Sequence, residues 1–446
     1  MSDLFSIGAS GLRAYRASLA VVGDNIANAQ TAGYARRSVR LSEVSISGAP
    51  DFRYRNRTRF DGVDISATVR AADAWRTADA RLASSAHHRS VASATWMIAT
   101  ETGLSDSETG SGVSLARMFA SGSALAADPL GRAPRSAFLA SIDNAAQSIR
   151  ISAGELARVA TGIAEAAQAS GAGINANLSA LAGLNLAIRR TSAGSTANAE
   201  LSDQRDRLID SIAAQTDVTG TVAADGSATL ARSGQTLVAD GEAATLSLTV
   251  AADGRLLFTQ IFNAVSASFT PAGGMLGGLA ISASTVADRR AGLDTLATDF
   301  ATALNSWHAS GRTPASASGG ALLDASGGAM KLAALATDPA QVAAADAGGT
   351  SNGNMLALSG VRTSSGVENQ WAALVASQAQ TTASARADVS RTAARKDTAD
   401  AARDNVEGVD LDREAADLIR FQQAYDASAR IIQMAKETVD AILRLF

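Results

Sequence analysis

The sequence of 446 residues has no cysteine, six prolines and three histidines, and aromatics make up only 4% of it. Without cysteine there is no disulfide, no thiol nucleophile and no thiolate metal site. Of the histidines, His87 and His88 are adjacent on what reads as one helix, where neighbouring side chains diverge by about 100° and cannot easily clasp one ion. With His308 as the only other, neither a His-rich metal centre nor a Ser-His-Asp triad has its raw material. The scarcity of aromatics removes the stacking platforms used for single-stranded bases. The 39 basic and 43 acidic residues leave a net charge of -4, which lacks the cationic excess that phosphate binding requires. No nucleic-acid partner, cofactor or metal is therefore expected. No uninterrupted run of ~18 apolar residues marks a membrane-spanning helix. Nor do the first thirty residues carry the basic start, apolar stretch and cleavage site of a secretory leader.

What is abundant is alanine, and with so little proline it favours long helices of small side chains. The length allows roughly two to four domains of ~100 to 200 residues. Phe5, Leu12, Leu19 and Ile26 recur every seven residues with Tyr15 and Val22 between them. At the other end Leu411, Leu418, Tyr425, Ile432, Val439 and Phe446 keep the same interval, with Phe421 and Ile442 between. Either stripe alone fits an ordinary amphipathic helix; two matched seams at opposite ends favour mutual pairing as a coiled coil.

Between the ends, Tyr34 to Arg70 reads as loop plus strand, and helices are expected over about 71–100, 113–126, 136–190 with a break at Gly171 and Gly173, and 199–215. From Asp217 the period changes. Asp225-Gly226, Asp240-Gly241 and Asp253-Gly254 fall at hairpin spacing, and Asp-Gly supplies the positive φ angles of tight turns. Gly273-Gly274 and Gly277-Gly278 are expected to close this β region flexibly, with helix resuming over 284–308. A Gly/Ser/Ala-rich connection then covers Ser310 to Gly328, and a long helix spans about 366–405. The fold class is mainly α with a small β insertion: long terminal coiled-coil helices, a helical-bundle stalk and an antiparallel β domain. The expected divisions are 1–33 with 408–446 for the terminal pair, 34–216 with 284–407 for the stalk, and 217–283 for the β domain.

Constellations that could carry chemistry read structurally. Gly171-Ala172-Gly173-Ile174-Asn175-Ala176 fits a G-x-G-x-x-A dinucleotide fingerprint, but it follows helix rather than strand, so a helix kink is the better account. Asp203 and Asp206 lie on one helix surface beside Arg205 and Arg207, where an Asp203–Arg207 pair at i, i+4 is worth only ~0.2 to 0.5 kcal/mol; surface salt bridging is expected rather than paired-carboxylate hydrolysis. His308, near a helix end, is expected to meet terminal carbonyls. No catalytic residue is assigned.

The segment from Asp24 to Tyr34, with Asn25, Asn28, Gly33 and Tyr34, resembles the N-terminal signature of bacterial flagellar rod, hook and hook-associated axial proteins, with Ala32 in place of the usual proline. Gly408 to Met434, containing Phe421, Gln422 and Gln423, is similar to the C-terminal signature of that group. Inside, the block around Asp203, Gln204, Arg205 and Asp206, and the Leu304 to Gly311 block, resemble the hook-associated junction family within it. The resemblance implies a structural, non-enzymatic role at the hook-filament junction on the extracellular flagellum, as a ring of subunits. It also implies export through the flagellar apparatus without a cleaved leader, with a chaperone on the C-terminal helix and contacts to hook protein and the second junction protein. The assembly interface is placed on Phe5, Leu12, Tyr15, Leu19, Val22, Ile26, Leu411, Leu418, Phe421, Tyr425, Ile432, Val439 and Ile442. The alternatives are a hook or distal-rod subunit and an extracellular carboxylate glycoside hydrolase.

Overall fold

The computed structural model describes residues 2–46, 59–105, 108 and 110–444; Phe446, the last member of the C-terminal stripe, lies outside them. Helix α1 (Ser2–Ala27) leads into an antiparallel hairpin of β1 (Arg37–Ile46) and β2 (Arg59–Arg70), then α2 (Ala74–Gly103), α3 (Ser111–Ala127), α4 (Arg132–Arg189) and α5 (Thr196–Gln215). Strands β3 (Thr219–Val222), β4 (Ala228–Arg232), β5 (Gln235–Ala239) and β6 (Glu242–Ala243) form one antiparallel meander. A second comprises β7 (Thr245–Val250), β8 (Leu256–Phe262) and β9 (Val265–Phe269). After α6 (Gly274–Ser310), a largely irregular stretch contains only the two-residue strands β10 (Leu323–Asp324) and β11 (Ala333–Ala334) and two short 3-10 turns. Helices α7 (Gly353–Ser365), α8 (Val367–Glu407) and α9 (Leu411–Leu443) complete the chain.

Local chemistry sets the ends of these elements. Asp73 caps α2 by accepting from the Trp75 and Arg76 amides, and Asp410 caps α9 in the same way from Asp412 and Arg413. The three Asp-Gly pairs sit in the turns between strands, with φ of 86°, 90° and 94° at Gly226, Gly241 and Gly254. Gly366, at φ 59°, separates α7 from α8.

Two apolar cores organise the stalk. One gathers α3, the N-terminal half of α4, the C-terminal half of α6, the segment around Leu322–Ala344, α7 and the start of α8, with Phe138, Phe300 and Trp371 fully buried. The other joins the C-terminal half of α4 to α5, the first turns of α6 and both sheets. Burying such a side chain is worth ~1.5 to 3 kcal/mol. The sheets are also fastened to α4 by two asparagines that imitate a neighbouring strand. Asn175 accepts from the Leu246 amide at 2.7 Å and donates to its carbonyl at 2.8 Å; Asn185 does the same to Ala228 at 2.8 and 2.7 Å.

Several expectations need correction. Helix α4 runs unbroken through Gly171 and Gly173, because its buried stripe Ile163, Ala167, Ile174, Leu178 and Leu181 holds continuous helix against the second core. The fingerprint there is a helical face, and its Asn175 binds a strand. Helix α6 begins at Gly274 rather than Ser284, so the last ten residues of the expected β region, 274–283, are helical. Gly277 and Gly278 are not a flexible closure: a Cβ on Gly278 would stand 2.3 Å from the Arg89 carbonyl oxygen, so this glycine admits the close crossing of α2 and α6. The Ser310–Gly328 connection is not a bare linker, since Leu322 and Leu323 are buried in the first core.

Candidate functional site at the joint of the terminal helices

Helices α1 and α9 pack along each other, and small residues make the closest contact. Gly8, Gly11, Ala14 and Ser18 of α1 are buried, as are Ser428 and Ala435 of α9. A Cβ on Gly8 would lie 2.6 Å from Ile432 Cγ1, and one on Gly11 2.7 Å from Ser428 Oγ, so at both glycines a side chain of α9 occupies the space a Cβ would need. The large seam residues flank this contact. Tyr15 and Phe421 meet with ring centroids 6.5 Å apart. Among the thirteen expected interface residues, Val22 is buried; Leu12, Tyr15, Leu19, Leu418, Phe421, Tyr425, Ile432, Val439 and Ile442 are half-buried; Phe5, Ile26 and Leu411 are exposed. Leu4, Ile419, Met434 and Leu443 are exposed as well.

Where the pair meets the stalk, polar groups converge. Asn25, completely buried near the end of α1, donates to the Arg37 carbonyl at 2.8 Å and to Glu414 Oε2 at 2.9 Å. Its own carbonyl oxygen accepts from Tyr34 Oη at 2.8 Å and from the Arg37 amide at 3.0 Å. The side-chain amide thereby joins α1, the chain entering β1, and the first turn of α9. Glu414 has no exposed surface, and its other oxygen takes Arg36 Nε at 2.6 Å; Arg36 also reaches Asp417 at 3.4 Å.

A second layer of charges continues into the stalk. Asp203 of α5, 3% exposed, accepts from Arg37 at 2.6 Å and Arg70 at 2.5 Å. Asp206 accepts from Arg70 at 2.5 Å, Arg205 at 3.0 Å and Arg81 at 3.3 Å. Asp210 takes Arg81 at 2.6 Å and Arg403 of α8 at 3.1 Å, while Arg205 donates to the Gly226 carbonyl at 2.6 Å in the β3–β4 turn. Helix α5 is thus a hub between the hairpin, α2, α8 and the β region. Burial alone would raise the Asp206 carboxyl, but the guanidiniums of Arg205, Arg70 and Arg81 outweigh it and hold its pKa below the usual 3.8. Burial likewise pushes the Tyr34 hydroxyl up to about 12, so the tyrosine stays protonated and donates.

The expectation of a surface Asp203–Arg207 pair is corrected by this arrangement: Asp203 is buried against Arg37 and Arg70, and Arg207 lies exposed with its stem beside Gly33. Two charges lost from water are tolerated there because each carboxylate oxygen has a guanidinium partner. Of the residues chosen from sequence, Asn25, Tyr34, Asp203, Arg205 and Asp206 meet at this joint, with Gly33 beside it. Asn28 closes the end of α1 by donating to the Asp24 carbonyl at 2.9 Å. Gln204, Gln422 and Gln423 are exposed, and nothing in the structure explains them. Sequence reasoning missed Arg36, Arg37, Arg70, Arg81, Asp210, Arg403, Glu414 and Asp417; the Arg36-Arg37 pair beside Tyr34 was the available signal.

The histidines take other places. His88 contacts the Ser84 carbonyl one turn back, and His87 faces Thr392 of α8 at 3.5 Å; both are half-buried. His308 turns away from its own helix end to the Gly320 carbonyl at 2.6 Å. Among the described residues no group of three or more His, Asp or Glu is placed to hold a metal, and no helix is long and apolar enough to cross a membrane.

Residues 5–34, which hold most of α1, match the family described as flagella basal body rod protein, and residues 405–445 match the flagellar basal body rod FlgEFG protein C-terminal. Residues 97–323 match the flagellar hook-associated protein FlgK helical domain. The flagellar hook-associated protein 1 of Bacillus subtilis (strain 168) is 30% identical over 172 residues, 34% of this chain and 34% of that relative, so the likeness spans about a third of the relative's length. The structure of the flagellar hook junction protein FlgK from Burkholderia pseudomallei shares the fold with a TM-score of 0.50 at 20% identity, over 56% of this chain and 46% of that one. With residues 97–323 amounting to 227 of 446, just over half, the chain belongs to the flagellar hook-associated protein FlgK family, a family of structural flagellar proteins.

Proposed function

We propose that this protein is an axial subunit that joins hook to filament, assembling as a ring through its terminal helices. The observation that carries this reading is the surface of the α1–α9 pair: the contact within one chain uses small residues, while Phe5, Ile26, Leu411, Ile419 and Met434 remain exposed along it. Apolar side chains lined along paired helices gain most by packing against further copies of the same pair. The partners in this reading are the subunit itself, the hook protein on one side and the second junction protein on the other. Export through the flagellar apparatus and a chaperone bound to α9 before assembly belong to the same proposal. Catalysis does not: Asp203 and Asp206, the pair a glycoside hydrolase would need, are each engaged by arginines.

Electron microscopy of flagella labelled for this protein tests the proposal. One band at the hook-filament boundary is the expected result. Label spread along the hook, or confined to the rod, would replace the junction reading by that of a hook or distal-rod subunit. Removing residues 1–33 or 408–446 should abolish incorporation into the organelle while leaving the stalk helices folded, as followed by circular dichroism.

A further inference from the structure

His308 occupies the last turn of α6 and is 1% exposed. Its Nδ1 lies 2.6 Å from the Gly320 carbonyl oxygen, which can only accept, and its Nε2 lies 2.9 Å from the Ala343 amide, which can only donate. The two contacts together fix a neutral ring with hydrogen on Nδ1 and leave no room for a proton on Nε2. Ala343 is held from both sides, since its carbonyl accepts from Asn354 Nδ2 of α7 at 2.8 Å. The same stretch is tied again where the Arg312 amide donates to the Ala345 carbonyl at 2.7 Å, and it contributes Leu322, Leu332 and Val342 to the first core. A cleft of about 350 Å³ lined by His308, Thr313, Ser318, Gly320, Leu335 and Gln341 lies beside this corner.

We propose that His308 is an acid-operated latch: when Nε2 takes up a proton from solvent, two donors face each other at Ala343, and residues 311–352 come away from the corner formed by α6 and α7. The charged groups around this corner do not supply a counter-charge. Arg135 of α4 donates to the Pro339 and Val342 carbonyls, and Arg312 to the Gly311 carbonyl and Ser318 hydroxyl, so both guanidiniums here are engaged by neutral oxygens. Asp338 caps the Pro339–Gln341 turn and Asp346 accepts from the Thr350 amide, so both carboxylates serve their own loops; α7 brings only the neutral Asn354. Burial, only partly offset by the Gly320 carbonyl, lowers the imidazole pKa below the usual 6.5. A ring that resists its proton more when folded than when unfolded contributes fully above the unfolded value of 6.5 and loses that contribution as pH falls toward the lower folded value.

Hydrogen exchange on the full chain between pH 8 and 5 tests the latch. After correction for intrinsic exchange, the opening of residues 311–352 should increase below pH 6.5 by up to ~tenfold per pH unit, while α4 stays protected. His308→Gln keeps an acceptor for the Ala343 amide but cannot titrate, and its opening should be flat over the same range. A wild-type profile without this rise, or an unchanged rise in the variant, overturns the proposal. Should the variant not fold, nitrogen NMR of wild-type His308 decides: hydrogen on Nδ1 and a midpoint below 6.5 that coincides with the loss of Ala343 protection support the latch. Hydrogen on Nε2, or a midpoint at or above 6.5, overturns it.

Discussion

The stalk and the terminal pair solve the same packing problem in opposite ways. In the stalk, large side chains such as Phe138, Phe300 and Trp371 are enclosed by elements of one chain, so its cores are complete in a single copy. In the α1–α9 pair the buried positions along the contact are mostly small, Gly8, Gly11, Ala14, Ser18, Ser428 and Ala435, with Val21 and Val22 the largest apolar side chains buried, and the bulkier ones stand at the margins. Burial of small residues yields little free energy, because the gain scales with apolar area. The pair is therefore shaped by close backbone approach and by the polar joint at its base, with its largest apolar groups left for other surfaces.

That contrast can be broken at graded cost. Phe138→Ala should destabilise the stalk most, by ~3 to 5 kcal/mol, because a fully buried aromatic leaves a cavity; urea unfolding followed by near-UV dichroism measures it. Glu414→Leu should cost ~3 kcal/mol at the joint, the lower end for breaking a buried ion pair, since Arg36 keeps some access to water. Its signature is faster hydrogen exchange in α1 and α9 with the stalk cores unchanged. Acid acts on the same joint through Asp206. Its folded pKa is depressed, so its stabilising effect is complete above about 3.8 and lost as pH falls through the lower folded value. Exchange at β1 and β2 should accordingly rise only at strongly acid pH.

Gly11→Val should cost ~1 to 3 kcal/mol by forcing the helices apart at Ser428, seen as a loss of helical signal confined to the termini. Leu411→Ser, at an exposed position, should change monomer stability by less than ~0.5 kcal/mol yet reduce incorporation into flagella. If it alters both equally, the division between the two regions fails.

Much of the fold could be read from periodicity and turn chemistry. The seven-residue repeats marked α1 and α9, and the Asp-Gly pairs marked three hairpin turns, because both signals are local. Signals that depend on distant partners were illegible. Gly171 and Gly173 look like a break until Ile174 and Leu178 are seen against the second core, and Gly278 looks loose until α2 passes over it. The joint shows the same limit. Asn25 and Asp203 stand out in short motifs, but Glu414 is one acidic residue among many in its helix, and only the fold brings it to an asparagine 389 positions earlier. The small residues Gly8, Ser428 and Ala435 stand at stripe positions in the sequence, but only the fold shows them lining the α1–α9 contact while the leucines stay at its margins.

Helix α4 spans 58 residues without interruption and contributes to both cores. At 1.5 Å per residue it is about 87 Å long. A push or twist delivered to either core is carried along one hydrogen-bonded rod to the other, so the stalk should respond to mechanical load as a stiff strut, with compliance concentrated at its ends.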